Sequence, residues 1–164
     1  MQIGEAFVGA GAEAAHVNTV LGDRAGPVGT AWATALATPS SGHAPFVAVL
    51  QPGLPAVPPT LFVNKATIAG PDHARLTWGA AQAGVAGGVA DALAAGTVDA
   101  SEVDRLLLIA AVWVDPTAAD DERLYANNRE ATARALAAGR AGTPTAADVE
   151  AERAAPWNPF FRSP

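Results

Sequence analysis

The sequence predicts an α+β fold, a single-domain two-layer sandwich of one sheet with helices on one face. Three observations lead there. Short β-rich runs and helical runs succeed one another as strand, strand, helix, strand, strand, helix, strand, helix. Residues 15–22 (AHVNTVLG) alternate Val17, Thr19 and Leu21 against His16, Asn18 and Val20, the two-residue period of a strand with one buried face. Finally, the chain has 164 residues, half of them apolar and 16% charged, which suits one hydrophobic core and no disordered majority.

In chain order, QIGEAFV (2–8) and AHVNTVLG (15–22) are two strands separated by a Gly/Ala turn, and so a hairpin. Pro27 stands where a helix favours its first residue, and GTAWATALAT continues with helical spacing. FVAVL (46–50) and TLFVNKATI (60–68) are β-rich, and the QPGLPAVPP between them can be neither helix nor central strand, because its prolines lack the N–H that either needs. WGAAQAGVAGGVADALAA (78–95) has a helical period but four glycines, each costing about 1 kcal/mol relative to Ala in a helix interior. A helix that keeps them packs closely on a sheet or on another helix. Asp99 or Ser101 caps a short turn, and LLLIAAVWV (106–114) is the most apolar strand. A last helix follows Asp115–Pro116, with acids in its first turn and arginines toward its end, and finishes at Gly139. We therefore divide the chain into a domain at 1–140 and a Pro-rich tail at 141–164 ending in WNPFFRSP.

Composition narrows the function. Net charge is −6 with scattered arginines, so the counterion release that drives nucleic-acid binding has no source, and no nucleic-acid partner is expected. No stretch reaches the ~18 uncharged apolar residues of a membrane span. The absence of cysteine removes disulfides and thiolate metal sites and makes the cytoplasm the expected compartment. VGAGAEA (8–14) fits the G-x-G-x-x-A pattern of dinucleotide sites, but the following strand denies it the helix such a site needs. His16, His43 and His73 fit no metal-ligand spacing, so no metal is expected. His16 is the best catalytic candidate of the three, since it opens a strand after a Gly turn. Lys65 is the only lysine beside nine arginines in a chain about one quarter alanine, a bias that would replace any lysine whose role arginine could fill. It reads either as a guard on an edge strand or as a compact ammonium in a pocket too narrow for guanidinium.

GEAFVGAGAEAAH (4–16), GPVGTAWATAL, GHAPFVAVLQPGLPAVPPTLFVNKATI and WGAAQAGVAGGVADAL together resemble the formaldehyde-activating enzymes, the 5,6,7,8-tetrahydromethanopterin hydro-lyases, over most of residues 2–140 in one register. The tail matches poorly. The resemblance implies a fold like domain 2 of ribosomal protein S5 and a ring-shaped homopentamer with the carrier between adjacent subunits. It implies condensation of formaldehyde with tetrahydromethanopterin, a reduced-pterin co-substrate, without metal or covalently bound cofactor. The family's catalytic histidine falls on His16, the expected general acid, and its carrier-binding positions fall on Asn18, Val47, Lys65, Thr67 and Gln82.

This chain departs from the family at Asn18 (Asp in the family), Val47 (Leu), Gly53 (Asn) and Val57 (Lys). An amide hydrogen-bonds but neither takes a proton nor holds a cation as a carboxylate does. Two other readings therefore stand beside the first: an enzyme of this architecture acting on a different amine or aldehyde carrier, and a non-catalytic pterin- or aldehyde-binding module.

Overall fold

The structure, a computed structural model, describes residues 1–159, 161 and 162. Its centre is a five-stranded mixed sheet. The hairpin forms as expected: β1 (Gln2–Val8) pairs antiparallel with β2 (Ala15–Asp23) across a 3-10 turn at Gly11–Glu13. Helix α1 (Pro27–Ala37) begins with Pro27 in its first turn. The run at 46–50 is broken into β3 (Phe46–Val47) and β4 (Val49–Gln51). The latter pairs with β5 (Leu54–Pro55) in a separate two-stranded ribbon, so the proline-rich connection stays out of the main sheet. Strand β6 (Thr60–Asn64) is shorter than the predicted 60–68. The Asn64 amide donates to the Gly42 and Ala66 carbonyls and turns the chain away from the sheet.

The helix expected at 78–95 starts earlier, as α2 (Pro71–Leu76), continues through a π turn (Thr77–Ala81) and becomes α3 (Gln82–Ala94). Asp99 caps the next turn, accepting from the Ser101 amide and hydroxyl. Strand β7 (Leu106–Trp113) lies between β2, antiparallel, and β6, parallel, giving the order β1-β2-β7-β6-β3. Helix α4 (Asp121–Ala141) begins later than expected, because Asp115 is used in a local turn with Thr117 and Asp120 caps the helix through the Arg123 amide. It also runs through Gly139, which is buried inside it. A short α5 (Ala146–Glu152) and a ribbon of β8 (Trp157–Asn158) and β9 (Phe161–Arg162) complete the described chain.

Alternation divides the sheet into two faces. Ala6, Val8, Val17, Leu21, Phe62, Leu108, Ala110 and Val112 are buried beneath α3 and α4. The glycines of α3 explain themselves here: a Cβ on Gly84 would lie 2.5 Å from the Tyr125 carbonyl oxygen, and one on Gly88 2.4 Å from that of Arg129, both in α4. Close approach of two helix backbones outweighs the propensity cost. The expectation of helices on one face alone is corrected by α1, because a Cβ on Gly22 would meet Val28 of α1 at 2.7 Å on the opposite face. Helix α1 thus covers one end of that face. The other end carries His16.

Candidate active site

Sheet register assembles the uncovered end of this face. Phe7 of β1 is opposite His16 of β2, which is opposite Trp113 of β7; one step along, Glu5, Asn18, Ala111 and Val63 form a second row. Lys65 lies one residue beyond β6, but its amide still donates to the Val112 carbonyl at 2.7 Å. It therefore keeps the parity of Val63 and projects toward His16.

The polar side chains form one cluster. Lys65 Nζ donates to Asn18 Oδ1 at 2.6 Å and lies 3.5 Å from His16 Nδ1, while His16 Nε2 is 2.9 Å from Glu5 Oε1. An ammonium can only donate, so in the neutral ring Nδ1 accepts and Nε2 carries the hydrogen given to Glu5. Burial, then the Lys65 charge, pushes the His16 pKa below its ordinary value, and the Glu5 carboxylate works against both by charge and hydrogen bond. Burial also lowers the Lys65 pKa, again opposed by Glu5. Site and charges together bring one carboxylate up against an imidazole and a cation, an arrangement able to hold and move a proton.

A cavity of about 750 Å³ opens over the cluster, walled by Glu5, Phe7, His16, Lys65 and Trp113, with Trp157, Asn158 and Pro159 of the C-terminal segment. The Pro-rich tail thus reaches this site through Trp157, Asn158 and Pro159, while Phe160 lies outside the described residues. A neighbouring cavity of about 500 Å³ shares Phe7, Trp113, Trp157 and Pro159 and is lined by the Gly9–Gly11 turn. Gly9 and Gly11, at φ 85° and 70°, make that turn possible, and β2 follows it, as the sequence reading of the G-x-G pattern expected.

The other site candidates lie apart from the cluster. Thr67 does not share a strand face with Lys65, because β6 has ended; its hydroxyl meets His43 Nε2 at 3.0 Å. Val47 of β3 pairs with Leu61. Gln82 is buried at the start of α3 and clamps Val49, accepting from its amide and donating to its carbonyl, both at 3.0 Å. None of the three lines the His16 cavity. His43 meets the Asn64 carbonyl through Nδ1, and buried His73 is held between the Ala69 amide and the Val114 carbonyl, so both serve the fold. Sequence reasoning missed Glu5 and Trp113 as site residues. The periods of β1 and β7 carried the signal, since they place Glu5 and Trp113 on the face of His16 once the register is known.

Comparison with known proteins identifies the family. The formaldehyde-activating enzyme (Fae) family matches residues 3–161, which includes the C-terminal segment through Trp157. The chain is 39% identical over 158 residues to the 5,6,7,8-tetrahydromethanopterin hydro-lyase of Methanosarcina barkeri, covering 96% of this chain and 89% of that one. It is 43% identical over 157 residues to the bifunctional enzyme Fae/Hps of Methanococcoides burtonii, covering 94% of this chain and 40% of the relative. A third, the bifunctional enzyme Fae/Hps of Archaeoglobus fulgidus, is 38% identical over 159 residues, 97% of this chain and 40% of its own length. The chain thus spans two fifths of the bifunctional relatives and nearly all of the hydro-lyase. With a match that runs from β1 to the C-terminal ribbon and includes every residue of the cluster, the chain belongs to the formaldehyde-activating enzyme family.

Proposed function

We propose that the protein condenses formaldehyde with tetrahydromethanopterin to 5,10-methylene-tetrahydromethanopterin and water, with His16 as the general acid. The observation that carries this is the Glu5–His16–Lys65–Asn18 cluster beneath an aromatic-walled cavity. A pterin nitrogen adds to the formaldehyde carbon to give an N–CH2–OH adduct. Proton donation to the hydroxyl releases water and leaves an N=CH2 cation, which the second pterin nitrogen closes, losing its own proton. One group that gives a proton and takes one back serves both steps, which suits an imidazole. Asn18 holds Lys65 more closely than His16 does, so the ammonium can move off Nδ1 when that nitrogen is protonated.

Carrier binding extends to Val47, Thr67 and Gln82 in this reading. Gln82 belongs to the helix layer on the far side of the sheet from His16, so its contribution to a shared carrier site comes from an adjacent copy of the chain. A homopentamer of subunits with the S5-domain-2-like fold and the carrier at subunit boundaries accommodates this, and Ile3, 61% exposed on the open face, lies on ground a neighbour can cover. Residues 1–140 form the body of each subunit, and the tail that follows brings Trp157, Asn158 and Pro159 over its site. A cysteine-free chain fits a cytoplasmic setting, with formaldehyde and the reduced pterin as its partners.

Asn18 favours a second reading. With an amide where the family has a carboxylate, the cluster has only Glu5 to balance its cation, which suits a carrier with a different charge or a different aldehyde. The test is the rate of methylene-carrier formation with and without protein, using tetrahydromethanopterin and then tetrahydrofolate. Acceleration of the pterin reaction that His16→Ala lowers by about 10²-fold or more supports the first reading. Acceleration with another carrier alone supports the second. Ligand-induced stabilisation without any acceleration would reduce the protein to a binding module.

A further inference from the structure

Glu5 has no assigned role, yet it is the only carboxylate among the described residues that bonds the His16 ring. The strands put it there: Glu5 is opposite Asn18, so it lies diagonally across β1 and β2 from His16, within reach of Nε2. We infer that Glu5 is a positioning residue for proton transfer at His16: its carboxylate takes the Nε2–H, turns Nδ1 toward Lys65 and the cavity, and balances the imidazolium form of the ring. The inference rests on His16 being the residue that moves the proton.

The charges around the ring make this role necessary. From β6 and its continuation the ring faces Lys65, a cation that opposes a second positive charge. From β7 it faces Trp113, and from the C-terminal segment Trp157 and Asn158, all uncharged. Asn18, its neighbour on β2, is also neutral. Burial and Lys65 both disfavour imidazolium, and Glu5 alone favours it. The proton for the leaving hydroxyl must come from imidazolium, because the neutral ring is too weak an acid near neutral pH. A glutamine at position 5 keeps an acceptor for Nε2–H and a nearly unchanged shape, but not the charge. The side chain is 55% exposed, so the substitution leaves the core untouched.

The experiment compares wild type, Glu5→Gln and Glu5→Gln/Asn18→Asp by NMR titration of the His16 ring and by the pH dependence of kcat and KM. Glu5→Gln is expected to titrate at lower pH, to lose about tenfold in kcat at pH 7 with little change in KM, and to recover toward acid. The double variant, which puts a carboxylate on the other side of Lys65, is expected to restore part of both. A ring titration and pH profile that Glu5→Gln leaves in place overturn the inference even where His16→Ala abolishes acceleration. Undiminished activity of His16→Ala overturns the reading beneath it, and with it the role given to Glu5.

Discussion

The two faces of the central sheet are built from alternate residues of the same strands, yet they do opposite things. On β2, Val17, Thr19 and Leu21 are buried on the side of α4, while His16 and Asn18 are half-buried on the other side. One face buries aliphatic area and is uniform. The other keeps charges close together and partly dehydrated, where their mutual interactions shift proton affinity. The same division separates the histidines. His73 is buried, with both ring nitrogens engaged by backbone groups. His16 has a cation on one nitrogen and a carboxylate on the other, which makes its protonation state adjustable.

The sharpest way to break the comparison is to substitute on one face and read the other. Phe62 is fully buried and stacks on Phe46 at 5.3 Å, so Phe62→Ala is expected to cost about 3–5 kcal/mol of stability by denaturant unfolding. His16→Ala, on the open face, is expected to stay within about 0.5 kcal/mol of wild type in the same assay while losing catalysis. Comparable losses for the two would mean that the open face also carries the fold.

A smaller effect is expected from Lys65→Arg, which keeps the charge but not the compact ammonium. The wider guanidinium fork does not reproduce the 2.6 Å contact to Asn18 together with the approach to His16, and we expect KM for the carrier to rise about tenfold with the fold unchanged. Unchanged kinetics would show that the compact ammonium is not required at position 65.

The smallest effect is a pH dependence of stability. The His16 pKa is lowered in the folded chain, so below the ordinary histidine value of about 6.5 the unfolded chain binds a proton that the folded chain resists. Stability therefore falls as pH drops through that value and levels off once the folded ring is also protonated. Denaturation midpoints between pH 8 and pH 5 are expected to fall less in His16→Gln than in wild type, and parallel curves would show that His16 is not depressed.

Much of this was legible in the sequence because it depends on local periods. The β1–β2 hairpin, the Pro27 helix start and the apolar β7 were all visible as alternation or as helix signals. So was the close packing of α3, because only a helix pressed against another backbone tolerates so many glycines. Boundaries that depend on a distant partner were not visible. Strand β6 ends at Asn64 because its amide bonds Gly42, more than twenty residues away, and helix α4 starts late because Asp115 is taken by a turn with Thr117.

The sequence by itself determined which residues stand out as candidates for chemistry: one histidine after a Gly turn, one lysine in a chain that otherwise uses arginine, and a family likeness that ties them together. The tertiary structure alone decided which of those residues meet. It joined His16, Lys65 and Asn18, left Thr67 with His43 and Gln82 with Val49, and added Glu5. The physical reason is that a strand's period states which side chains share a face, whereas contact between strands depends on register and order. Those are set by the packing of the whole sheet, with β7 placed between β2 and β6.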